Sequence, residues 1–202
     1  VSFTFIEIPK TGSSSVLKAI GCGYNRRRVK AQRNIFGPLG KTRRHLTAIE
    51  LRSLPSHKRR NTLAFFRNPY SRIVSEYFFR HLRKPAFKEM TFEEFLCGVR
   101  DHQFNGSYRG LIDSKRHLLP QSRFIKGPKG KVIVDFIGRQ ENLQNDLNGF
   151  CKQIKIKEVT LLRRNATKHN HYSKYFTDAT RKIVEDVYGE DLEYGKYRFE
   201  SK

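Results

Sequence analysis

Twice in the N-terminal half of this chain a β-rich run passes through a polar, proline-bearing turn into apolar residues at helical spacing. That strand, turn and helix unit narrows the fold more than any other feature. In the first instance Phe3, Phe5 and Glu7 alternate with Thr4, Ile6 and Ile8, so Ser2 to Ile8 reads as a strand ending at Pro9. Gly12 to Ile20 then carries Val16, Leu17 and Ile20 at helical spacing, with Gly21 and Gly23 as the stop. In the second, Thr62 to Phe66 is a compact apolar strand, Arg67-Asn68-Pro69 the turn, and Tyr70 to Leu82 a helix bearing Ile73, Val74, Tyr77 and Phe78.

Later segments continue the alternation. Thr47 and Glu50 form a capping box for a short helix, and Thr91 caps another through Val99. Val132 to Ile137 predicts a third strand, followed after Gly138 by a helix with Leu143, Leu147 and Phe150 on one side. A short strand over Val159 to Leu162 and a helix over Asp178 to Tyr188 complete the pattern. Strands alternating with helices predict an α/β fold of three layers, its mostly parallel sheet of about four or five strands covered on both faces. With 202 residues, of which 37% are apolar, one domain over 1–202 is expected.

Lys and Arg number 41 against 19 Asp and Glu, a formal charge of +22 that concentrates anionic ligands at the surface. Charge alone fits a nucleic-acid binder as well as an enzyme with an acidic substrate. The three cysteines, Cys22, Cys97 and Cys151, are odd in number and widely spaced, which argues against a complete disulfide framework and a close-spaced zinc site; they read as buried thiols, with one pair open to bridging if the protein is secretory. Asn105-Gly-Ser107 and Asn165-Ala-Thr167 are glycosylation sequons if the protein is secretory. No membrane span or secretory leader is visible. The compartment stays open: cytoplasmic for a complete chain, the Golgi lumen for one that has lost an N-terminal anchor. The oligomeric state stays open too.

Between the first strand and helix, Pro9-Lys10-Thr11-Gly12-Ser13-Ser14-Ser15 sets a lysine, a glycine and four hydroxyls where backbone amides can cradle a phosphate or sulfate. The order differs from the nucleoside-triphosphatase loop, because Lys10 precedes the glycine, which counts against a kinase. In the second unit Arg67 stands at the strand end and Ser75 lies in the following helix. Both can face the sheet edge at which open α/β folds bind ligands. Two anion sites side by side suit a nucleoside with phosphates at both ends, with Arg67 giving charge-assisted bonds and Ser75 a hydroxyl.

These two segments, the PKTG-type loop and the RNPYSRIVS element, resemble the sulfotransferase family, especially the branch of Golgi carbohydrate sulfotransferases and their bacterial relatives. His45-Leu46-Thr47-Ala48, His117-Leu-Leu-Pro-Gln121, Ile137-Gly138-Arg139-Gln140-Glu141-Asn142-Leu143 and a terminal helix from Tyr175-Phe-Thr-Asp178 to near Tyr197 follow in order, so the resemblance spans nearly the whole chain. The chain departs from it in the triple serine and in Gln140, where an aromatic residue is common.

The resemblance implies a P-loop-like sulfotransferase fold and the donor 3′-phosphoadenosine 5′-phosphosulfate (PAPS), with adenosine 3′,5′-bisphosphate as product and no metal. Lys10, Thr11, Gly12, Ser13, Ser14 and Ser15 would hold the 5′-phosphosulfate, with Lys10 also stabilising the leaving phosphate. Arg67 and Ser75 would hold the 3′-phosphate. Arg139 and Lys168 would add positive charge around the nucleotide, although Arg139 also suits an ion pair with Glu141. His45 is the expected general base for the acceptor hydroxyl, with His117, Glu7 and Glu141 as competitors. His117, Gln121 and Arg44 are expected at the acceptor. The basic tracts Arg26-Arg27-Arg28, Lys41 to Arg44 and Lys58-Arg59-Arg60 favour an acidic glycan as that acceptor. The competing readings are a basic protein stacking nucleic-acid bases on its aromatic residues, and a P-loop kinase.

Overall fold

The computed structural model describes residues 3–20, 45–53, 61–105, 115–161 and 169–202. In chain order the regular elements are β1 (Phe3–Ile6), α1 (Ser13–Ala19), α2 (Ala48–Arg52), β2 (Asn61–Phe66), α3 (Pro69–Arg83), α4 (Phe92–Arg100), α5 (Ser122–Ile125), β3 (Phe136–Arg139), α6 (Leu143–Gln153) and α7 (Asp178–Gly195). Two compact units make up the chain, 1–66 with 123–165 and 67–122 with 166–202. No helix among the described residues is long and apolar enough to cross a membrane.

The first unit holds the sheet, a parallel β1-β2-β3 array flanked by helices, so the protein is an α/β protein as expected. Phe3 to Ile6 pair with Asn61 to Ala64, and Leu63 to Phe66 with Phe136 to Arg139. Central β2 is buried from Thr62 to Phe66, as its unbroken apolar run requires of a strand covered on both faces. Leu63 and Phe65 meet Val16 of α1 and Leu147, Phe150 and Cys151 of α6 in one core cluster. Thr62 fixes the register with β3: its amide and hydroxyl both donate to Asp135 Oδ2 (2.8 and 2.7 Å), and its Oγ1 accepts from the Asp135 amide at 2.9 Å.

Three strands stand among the described residues where four or five were expected. The third lies later than Val132 to Ile137 because 131–133 pairs locally instead. Val132 bridges Lys126 antiparallel, and the Ile133 amide donates to the Ile125 carbonyl at 3.0 Å. No strand forms at 159–161 because a side chain takes its backbone bonds: Gln144 Nε2 donates to the Val159 carbonyl and its Oε1 accepts from the Leu161 amide, each at 2.8 Å. Leu162 lies outside the described residues.

In the second unit Asn68 caps α3 by accepting from the Tyr70 amide, and Pro69 occupies the first turn, where it needs no donor. Tyr70, Ile73, Val74 and Tyr77 of α3 pack with Phe95, Leu96 and Val99 of α4 and Ile183, Val184 and Tyr188 of α7. Capping boxes start α2 at Thr47, as read from the sequence, and α4 at Thr91. Helix α7 runs past the expected Tyr188 to Gly195, the length the family resemblance implies. Tyr188 marks a kink (φ −120°, ψ 20°), not an end. Cys97 and Cys151 are free thiols, and burial pushes the Cys151 pKa up. Cys22 and the sequon at Asn165 lie outside the described residues.

A Cβ placed on Gly138 would sit 2.5 Å from the Phe65 ring and 2.9 Å from Asp146 Cβ, so the absence of a side chain lets α6 close on the sheet. Gly138→Ala should therefore destabilise the protein by about 1–3 kcal/mol through overpacking, read as a lower denaturant midpoint at unchanged slope.

Candidate active site

The turn after β1 is held by its own hydroxyls. Thr11 Oγ1 and Ser13 Oγ both donate to the Ile8 carbonyl at 2.9 Å, and Thr11 is fully buried. Lys10 (φ 67°) and Gly12 (φ 86°) are both left-handed, a conformation that costs a lysine energy and that glycine adopts freely. Gly12 also caps α1 without any side-chain bond, and a Cβ there would lie 2.8 Å from Leu143 Cδ2. The hydroxyls of Thr11 and Ser13, expected on the ligand, instead brace the loop. Ser15 differs. It is 8% exposed, and its hydroxyl has no hydrogen-bond partner among the described residues. Ser14 is half-buried beside it.

His45 lies in the same unit, 6% exposed and left-handed (φ 55°), two residues before the Thr47 cap of α2. Its Nδ1 is 2.7 Å from the Glu7 carbonyl oxygen. A carbonyl can only accept, so Nδ1 carries a proton, and in the neutral ring the lone pair is on Nε2. Arg139, at the exposed end of β3, donates its amide to Asp146 Oδ2 at 2.6 Å. Arg44 and Lys168 lie outside the described residues, as do the three basic tracts.

In the second unit Arg67 follows β2 by one peptide bond, and its Nε and Nη2 donate to Ser71 Oγ at 3.0 and 2.7 Å. Ser75 is one helical turn beyond Ser71 on the same side of α3. It is 6% exposed, and its hydroxyl also has no partner among the described residues. Ser71 was not singled out from the sequence. Its spacing of four from both Arg67 and Ser75 was the available signal.

His117 and Gln121, expected at the acceptor, have internal work. His117 Nδ1 is 2.8 Å from Glu76 Oε2, whose other oxygen accepts from Arg80 Nε at 2.7 Å, and its ring stacks on Phe79. Gln121 is fully buried, with both amide atoms on the Arg67 backbone. The whole stretch 117–122 is pinned. Arg72 Nη2 donates to the His117 and Leu119 carbonyls, Tyr188 Oη to the Leu118 carbonyl, and the Gln121 and Ser122 amides to Asp191.

Because Gly12 is both left-handed and pressed by Leu143, Gly12→Ala should cost about 1–2 kcal/mol of stability, measured by thermal unfolding.

The sequence pattern of the sulfotransferase family matches residues 2–198. A protein of Archaeoglobus fulgidus, described as an uncharacterized protein, is 31% identical over 110 residues, which cover 54% of this chain and 80% of that protein. No solved structure matches the chain. The anion-suited loop after β1 and the Arg67 element both lie inside a family match of nearly full length, and the chain therefore belongs to the sulfotransferase family.

Proposed function

We propose that the protein transfers a sulfuryl group from PAPS to a hydroxyl of an acidic glycan. Family membership supplies the reaction class. The observation that carries the donor assignment is the pair of buried hydroxyls without partners, Ser15 after the Lys10 loop and Ser75 in α3. Each belongs to an element whose sequence suits a phosphate, and an anionic oxygen would satisfy each. Each element, taken by itself, thus suits one anionic group of a nucleotide with such a group at both ends.

The donor would supply an activated sulfuryl group on its 5′-phosphate. On this reading Lys10, Ser14, Ser15 and the uncapped amides at the start of α1 hold that end. Thr11 and Ser13 contribute through the shape of the loop. The Lys10 ammonium balances charge on the departing phosphate, an electrostatic role that gains strength where water is excluded. Arg67, oriented by Ser71, and Ser75 hold the 3′-phosphate. Lys168 and Arg139 add positive charge. His45 accepts the acceptor's hydroxyl proton on Nε2, the nitrogen that its Nδ1 bond to Glu7 leaves with the lone pair. His117 Nδ1 is held by the Glu76 carboxylate, which sets the same tautomer, so the choice of His45 rests on its place in the same unit as the Lys10 loop. An acidic glycan suits the +22 charge, which draws polyanions and repels cations.

Titration of adenosine 3′,5′-bisphosphate into the protein without magnesium should give saturable binding, weakened about 10-fold or more in Lys10→Ala and in Arg67→Ala, since each removes a charge-assisted bond. Absence of binding by the folded wild type would overturn the assignment. In transfer assays with radiolabelled donor and acidic glycans, His45→Ala should lower kcat by about 10²–10⁴-fold while leaving bisphosphate affinity within about 2-fold.

A further inference from the structure

We propose that Gln121 is a positioning residue for Arg67: held through its backbone by Asp191, its side-chain amide fixes the Arg67 main chain so that the guanidinium is presented to the nucleotide's 3′-phosphate. The proposal rests on the reading of Arg67 given above.

The Arg67 N–H donates to Gln121 Oε1 at 2.9 Å, and the Arg67 carbonyl accepts from Gln121 Nε2 at 2.8 Å. One side chain thereby ties down both peptide planes that flank a single residue, as a neighbouring strand would. With both planes fixed, φ and ψ of Arg67 are fixed, and so is the direction in which its side chain departs. Ser71 then restrains the far end by accepting from Nε and Nη2. A guanidinium restrained at both ends loses less freedom on meeting a phosphate, which is the advantage of a preorganised binding group.

Gln121 is itself anchored. Its amide donates to Asp191 Oδ2 at 2.6 Å, and the Ser122 amide donates to Oδ1 at 2.7 Å. Asp191 is fully buried, with Arg72 Nη1 4.0 Å away. Burial raises its pKa, against the pull of Arg72 and the two amides. A buried carboxyl is retained at such a cost only where its bonds are well made, and here they hold one short turn in place. Asp191, Gln121, Arg67 and Ser71 thus form a continuous chain of hydrogen bonds within the second unit.

The test compares adenosine 3′,5′-bisphosphate with adenosine 5′-monophosphate, which lacks the 3′-phosphate, by calorimetric titration. Gln121→Met keeps the length of the side chain and removes the amide. It should weaken bisphosphate binding about 10-fold, the effect of losing a pair of hydrogen bonds, and leave monophosphate binding within about 2-fold. Asp191→Asn should give a smaller loss with the same selectivity, and it carries the test if Gln121→Met does not fold. Equal loss for both nucleotides, or no loss in a folded variant, would overturn the positioning role. A wild-type protein that does not distinguish the two nucleotides would overturn the assignment of Arg67 to the 3′-phosphate instead.

Discussion

Parallel pairing of β2 with both β1 and β3 is the constraint on which the first unit depends. Parallel strands end on the same side of a sheet, so the Lys10 loop after β1 and the turn after Arg139 of β3 leave from one edge. The two contacts that let α6 approach that edge are glycines. Gly138 lets Phe65 and Asp146 come close, and Gly12 admits Leu143 beside the anion-suited loop. The Asp135–Thr62 bonds set the register at the opposite end of the β2–β3 pair. A slip by one residue would send Leu63 and Phe65 out of the core they share with Val16 and Phe150.

Side chains stand in for strands at two places in this protein. Gln144 gives the backbone at Val159 and Leu161 the bonds that an adjacent strand would, and Gln121 does the same for Arg67. In both cases a buried or half-buried backbone group cannot be left unpaired, and a primary amide carries a donor and an acceptor at the right separation. The consequences differ. Gln144 ends a potential strand within the first unit, whereas Gln121 stiffens the residue proposed to bind the nucleotide.

The second unit is organised around buried charge. Arg72, Glu76 and Arg80 lie on α3 at spacings of four, each at most 2% exposed, among the aromatic residues of α4 and α7. Glu76 pairs with Arg80 and His117, Arg72 holds two carbonyls of 117–119, and the Arg80 guanidinium lies over the Phe87 and Phe104 rings. Such a network contributes little net stability once desolvation is counted. Its geometric effect is to hold the 117–122 stretch, and through Gln121 the Arg67 backbone.

Local pattern in the chain was enough for the elements whose signals are local. The β1–loop–α1 unit, the Thr62 to Phe66 strand, the Thr47 capping box and the Asn68-Pro69 helix start all follow from residues within a few positions of one another. The anion-suited motifs at Lys10 to Ser15 and at Arg67 and Ser75 were visible for the same reason. Periodicity placed the end of α7 at Tyr188, which excluded Asp191. The family resemblance gave His117 and Gln121 to the acceptor, and a histidine and a glutamine read along the chain show no partner. Their partners lie far off in sequence: Glu76 is 41 residues from His117, and Arg67 is 54 from Gln121. Whether a buried hydroxyl is satisfied, which tautomer His45 adopts, and which polar groups face inward all depend on atoms brought together by folding. A one-dimensional pattern carries propensity and amphipathicity, but hydrogen-bond satisfaction at a buried atom is a property of three-dimensional neighbours.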